Sequence, residues 1–254
     1  MKDVEVEVLK RPKLTNPVFI EGLPGVGNVG KLAAEHLIDE LGATKMAEVR
    51  CKDFPPQIFV LESGLVRLVN NEMFYWKAKK DAQRDLILLV GDYQPMSSQG
   101  QYDLVDEVLG IIGGHGCKEL YTLGGYGMGR MVNEPGVLGA ATSEDVVKRM
   151  KKHGVKFSKD EPGGGIVGAS GLFLGLGMTR GMEGACLMGE TSGYLVDPKS
   201  ARAVLEILTK LIGASVSFDE LENKAREMDR IASQLREMER KQSDKPSDEI
   251  RYIG

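Results

Sequence analysis

Three short apolar runs, each followed within two residues by glycine, constrain the fold most: Val18-Phe19-Ile20, Leu86 to Val90, and Leu120-Tyr121-Thr122-Leu123. Such runs suit strands buried on both faces. Helical patterns separate them. Gly30 to Leu41 places Leu32, Ala33, Leu37, Ile38 and Leu41 on one stripe, and Gln101 to Ile112 carries Leu104, Val105, Val108, Leu109, Ile111 and Ile112. Strand and helix in alternation predict a mainly parallel sheet with helices on its faces. Phe59-Val60-Leu61, Leu65 to Val69 and Met73 to Trp76 form a different, β-rich unit, with Asn70-Asn71 as a hairpin turn between the last two. The sheet is therefore expected to be partly mixed.

Length and charge narrow the class. At 254 residues the chain holds one large α/β domain or two small ones, and 42% apolar content supplies a sizeable core. A net charge of −4 argues against a general nucleic-acid binder. No apolar run reaches the length of a membrane span, and the first residues do not read as a signal peptide. Cys51, Cys117 and Cys186 are odd in number and far apart, as are His36, His115 and His153. These predict reduced, buried thiols in a cytoplasmic protein and no metal site.

Glycine gathers in two later stretches, with ten between Gly110 and Gly139 and ten between Gly163 and Gly189. Within the second, Gly165 to Gly175 reads either as a helix packed through small residues or as loops around a cleft. Asp197-Pro198 opens a further helix with Asp as cap, striped by Ala203, Val204, Ile207, Leu208 and Leu211 and closed by Gly213. Ser217-Phe218-Asp219-Glu220 reads as the capping box of a last helix. Leu221, Ala225, Met228, Ala232 and Leu235 form its seam, flanked by Glu220–Lys224 and Glu222–Arg226 pairs. The expected organisation is one α/β domain over 1–216, a charged amphipathic helix over 217–241 and a flexible tail over 242–254.

One loop fits two nucleotide motifs and completes neither. Gly25, Gly27 and Gly30 satisfy the dinucleotide-binding turn, and Gly25, Gly30 and Lys31 the phosphate-cradling loop. Leu32 stands where the latter needs a hydroxyl for magnesium, and Glu21 precedes the loop with a negative charge. Asp53, at the distance of a ribose-binding acid, is followed at once by Phe54-Pro55-Pro56. Three readings stay open: a tight strand-to-helix turn, a small anionic ligand, or a nucleotide- or nucleoside-binding enzyme that also uses Asp92 and Arg130. Asp92, Glu190 and Arg130 lie after expected strands and are candidates to line one cleft. Ser170 loosely matches a nucleophile elbow, but no nucleophile–base pair is recognisable and no catalytic residue is assigned.

The last 38 residues differ from the rest. From Ser217 onward 18 residues are charged, yet the chain finishes in Ile250-Arg251-Tyr252-Ile253-Gly254. An apolar tip on a solvated arm suits capture by a partner pocket that takes a C-terminal carboxylate, or packing onto its own body or a sister subunit.

Taken in order, these pieces resemble the archaeal branch of the proteasome-assembly-chaperone family. The residues that carry the likeness are Gly22 to Gly30, Asp85 to Pro95, Leu123 to Tyr126, Val137 to Ala141, Gly165 to Leu174, Glu190-Thr191 and Asp197 to Ala201, within roughly residues 15–215. The resemblance implies a three-layer α/β/α fold similar to the nucleoside-phosphorylase class, without catalysis and without a cofactor. It also implies a homo-oligomer, tetramer or pentamer, that binds proteasome α-subunits. Family members use a C-terminal hydrophobic–tyrosine–any tripeptide that inserts between α-subunits. Here Tyr252 stands third from the end, one place early, and Ile253 takes its position; Ile250, Tyr252, Ile253 and Gly254 are the expected partner-binding residues.

Overall fold

The computed structural model describes residues 2–157 and 165–243. The tail residues Ile250, Tyr252, Ile253 and Gly254, expected to bind a partner, lie outside the described residues. Ten strands and six helices are formed among those described. They run β1 (Val4–Val8), β2 (Val18–Gly22), α1 (Val29–Leu41), β3 (Thr44–Cys51), β4 (Ile58–Val60), β5 (Val66–Leu68), β6 (Asn71–Trp76) and β7 (Leu86–Gly91). They continue α2 (Ser98–Gly114), β8 (Glu119–Gly127), β9 (Val137–Ala141), α3 (Glu144–Lys152), α4 (Ala169–Thr179), β10 (Glu183–Thr191), α5 (Pro198–Ile212) and α6 (Asp219–Ser243).

Eight strands form one sheet in the order β1-β3-β6-β7-β2-β8-β10-β9. The three apolar runs become β2, β7 and β8, adjacent and parallel at its centre, and β10 extends the parallel block beside β8. Antiparallel strands complete both sides: β6, β3 and β1 on one and β9 on the other. Alternate side chains sort into two cores. Val18, Ile20, Leu86, Leu88, Tyr121 and Leu123 pack with α1 and α5, while Phe19, Ile87, Leu89 and Leu120 pack with α2 and α4. That is the expected α/β/α layering, with parallel order confined to the middle of a mixed sheet.

Two local expectations are corrected. Asn70-Asn71 is not a hairpin turn: β5 pairs with β4, whereas β6 joins the main sheet between β3 and β7. The turn lies instead at Glu62-Ser63-Gly64, where Gly64 takes a positive φ of 80° and its amide donates to the Leu61 carbonyl. Asn70 and Asn71 are buried, and the Asn70 amide donates to Asp92. The second correction is the capping box before α6. The Ser217 hydroxyl accepts from the Asp219 amide, two residues on, while Glu40 at the end of α1 takes the Ser217 N–H. Glu220 pairs with Lys224 as expected, but Glu222 turns to Arg202 on α5 rather than to Arg226.

The glycine-rich segment resolves into α4, and Gly177 lies where any side chain would press on Leu120 of the sheet. Asp197 caps α5 by accepting from the Ser200 amide, and Gly213 closes it in the left-handed conformation. Cys51, Cys117 and Cys186 are buried free thiols. Among the described residues no helix is long and apolar enough to cross a membrane.

Candidate functional site

The loop after β2 is built to be filled by the protein itself. Gly27 sits at φ 63° and Asn28 at φ 50°, so two successive left-handed residues turn the chain sharply into α1. A Cβ on Gly30 would collide with the Leu123 carbonyl of β8, and one on Gly125 would collide with the Val26 carbonyl. At Gly27 it would stand 2.9 Å from the Thr191 hydroxyl at the end of β10. The Gly27 carbonyl accepts from the Asp197 amide at 2.9 Å, which ties the loop to the cap of α5. Gly25 alone of the three motif glycines has open space where a side chain would grow, and its backbone is extended. The close approaches are thus to backbone and side chains of β8 and β10.

Beneath the turn lies a buried polar group that no nucleotide motif calls for. Glu21, fully buried, accepts from the Leu23 amide and the Ser170 hydroxyl, both at 2.8 Å. Burial lifts its pKa to about 7, against the lowering by those two donors. Gln94 closes the cluster: its amide nitrogen donates to the Pro24 carbonyl at 2.8 Å and its oxygen accepts from the Ala169 amide at 2.9 Å. It satisfies the first turn of α4, whose N-cap Gly168 has no side chain to do so. Ser170 is therefore a donor to a carboxyl group within a structural bridge between β2 and α4.

The remaining candidates face different partners. Lys31 pairs with Glu35 one turn along α1, at 3.6 Å. Asp92 holds Arg67 through both guanidinium nitrogens, 2.9 Å at the longer contact. Burial pushes the Asp92 carboxyl up, but Arg67 and the Asn70 amide outweigh it and its pKa falls below the ordinary value. Glu190 accepts from the Gly136 amide at 2.9 Å and lies 3.6 Å from Lys156. Arg130 is exposed. Asp53 accepts from the Ser97 amide at the start of α2. No group of three or more potential metal ligands occurs among the described residues.

A second feature is the mounting of α6. His36 on α1 is buried and its Nε2 lies 2.7 Å from the Ser217 carbonyl, while its ring stacks on Phe218 at 6.4 Å. Arg202 on α5 lies 5.6 Å above the Phe218 ring and pairs with Glu222 at 2.6 Å. Lys199 meets Asp229 at 2.8 Å, and Leu221 and Ala225 are buried against the body. Pattern reading found Leu221 and Ala225 of the α6 seam, both buried; the side chains of Ala232 and Leu235 lie outside the described ones. It did not find His36, Glu40 or Arg202. Their partners lie 177 to 181 residues away or on another helix, and no local spacing announces them.

These features define a class: a mixed α/β protein whose glycine turn is a packing joint and whose C-terminal helix is anchored at its root on α1 and α5. Residues 19–236 match the PAC2 family, and the chain belongs to it. It is similar to Pyrococcus furiosus PbaB, an archaeal proteasome activator, with 42% identity over 93% of this chain and 100% of that one, at a TM-score of 0.88. Similarity extends to Pyrococcus furiosus PbaA, an archaeal homolog of proteasome-assembly chaperone, with 28% identity over 95% and 97% of the two chains and a TM-score of 0.75. An uncharacterised protein of Methanocaldococcus jannaschii is 41% identical over 100% of this chain and 96% of its own length.

Proposed function

We propose that this protein is a non-catalytic adaptor of the proteasome that binds α-subunits as a homo-oligomer, through the C-terminal tail ending in Ile250, Tyr252, Ile253 and Gly254. The observation that carries this reading is the likeness to PbaB, a proteasome activator, over the whole of that chain. The glycine turn supports it from the other side. Gly30 and Gly125 are needed for contact with backbone of the same chain, so those glycines are accounted for without a phosphate. The anchored root of α6 supports it too, because an arm that starts from a fixed point loses less freedom on docking than one that starts loose. Several arms on one oligomer raise apparent affinity by ~10²–10⁴ when their spacing matches the partner's pockets.

The test is co-migration of the full chain with proteasome α-subunits in size-exclusion chromatography, alongside thermal unfolding with ATP, NAD and a nucleoside at millimolar concentration. The adaptor reading expects a complex and no ligand-induced rise in melting temperature. A ligand-dependent rise of several degrees with no complex would instead establish the nucleotide-enzyme reading, by linkage.

A further inference from the structure

The β4–β5 ribbon carries a fully apolar face that nothing in the described chain covers. Its register pairs Ile58 with Leu68 and Val60 with Val66, which puts these four side chains on one face. All four are exposed, Val60 to 70% and Val66 to 61%, and Leu61 and Leu65 extend the patch around the turn. The other face is tied down. Phe59 packs toward the α2–α4 core, with the Arg67 guanidinium 4.4 Å above its ring and Asp92 gripping Arg67 from β7's end. The ribbon is therefore held in place with its aliphatic side turned outward. Six aliphatic side chains expose on the order of 600 Å², the upper end of what a monomer usually leaves to water.

We infer that this face is a two-fold interface with a second copy of the same chain. The inference deepens the homo-oligomer reading and rests on it. Three observations favour a second copy over a different partner. At the foot of the ribbon lies a groove of about 370 Å³ lined by Phe54, Pro55, Pro56 and Val69 together with the charged Arg50 and Lys52, large enough for the tip leucines of a facing ribbon. With the two-fold axis perpendicular to the strands the two ribbons run antiparallel, and Leu61 and Leu65 of each copy then reach the groove of the other. The charges agree with that arrangement. Glu62 at the tip has no ion pair among the described residues, and Lys52 at the groove is held only by the exposed Asp3, at 3.3 Å. Finally, two such faces together reach ~1,200 Å², the lower bound for a stable specific association.

Sedimentation of the full-length protein tests the interface, with melting temperature and α-subunit binding read on the same samples. The wild type is expected at a multiple of the chain mass. Leu65→Lys should still unfold in one cooperative transition, since the residue is exposed on the single chain, yet raise the dissociation constant by at least ~100-fold, because a charge is buried at each end of the interface. Lys52→Glu and Glu62→Lys should each weaken association, and the double exchange should restore it. Unchanged mass for Leu65→Lys in an oligomeric wild type would overturn the interface while leaving the oligomer reading intact. Loss of α-subunit binding at unchanged mass would assign the ribbon to the α-subunit and overturn self-association. A monomeric wild type would overturn both the interface and the oligomer.

Discussion

Glu21→Gln makes the buried carboxyl under the glycine turn a quantitative probe. Burial raises this group from its ordinary 4.5 to about 7, so the folded protein holds a proton there that the unfolded chain has already lost at neutral pH. An acid with a raised folded-state pKa contributes stability that is complete below the unfolded value and is lost as pH rises through the folded one. The window therefore runs from about pH 4.5 to about pH 7. At about 1.4 kcal/mol for each tenfold change in proton affinity, the wild type forfeits about 3 kcal/mol across it. The amide isostere keeps both contacts, since its oxygen accepts from the Leu23 amide and its nitrogen donates to the Ser170 hydroxyl. Urea unfolding of both proteins from pH 4.5 to pH 8.5 should show equal stability at the acid end. Glu21→Gln should be ahead by about 3 kcal/mol at the alkaline end, roughly 6–12 °C in melting temperature. A stability difference that does not change with pH would refute the assignment of a strained, half-titrated Glu21.

The other predictions concern packing and the arm. Gly30→Ala should cost about 3 kcal/mol or more, because its methyl meets the Leu123 carbonyl and not a movable side chain, whereas Gly25→Ala should stay within about 0.5 kcal/mol. Denaturant titration of the pair tests whether Gly30, and not Gly25, is held by packing against β8. Leu221→Ala empties a buried site at the root of α6 and should cost about 2–4 kcal/mol of local stability; hydrogen exchange should show protection lost in α6 and kept in β2 and β7. Arg202→Ala removes the Glu222 pair and the cover on Phe218. Both groups are partly exposed, so the melting temperature should fall by no more than a few degrees.

The centre of the sheet was readable because Val18 to Ile20, Leu86 to Val90 and Leu120 to Leu123 are buried, so that each run is apolar but for Thr122. The outer strands were harder for a physical reason. β3, Thr44-Lys45-Met46-Ala47-Glu48-Val49-Arg50-Cys51, mixes charged residues with core residues because one side of it meets water. β10 was hidden in the second glycine stretch, where Gly184 and Gly189 allow close contact with the Leu120 carbonyl and with α5. Asn70-Asn71 has the composition of a turn, but both residues are buried where Asp92 and β7 meet them. At the candidate site the glycine spacing was legible and its purpose was not. Whether a glycine admits a phosphate or a neighbouring carbonyl depends on what stands opposite, and Leu123 is more than ninety residues from Gly30. The α6 seam was visible as a period, while His36 and Glu40, which hold its root, carry no signal in their own segment.

The most direct test of the adaptor account is native mass spectrometry of proteasome α-subunits with the full chain and with a chain ending at Glu249. The account predicts a complex with the full chain that is lost or strongly weakened when Ile250 to Gly254 are removed, with the truncated protein still folded. A complex of undiminished strength after truncation would contradict docking through the tail. The absence of any complex with the full chain would contradict the adaptor function itself.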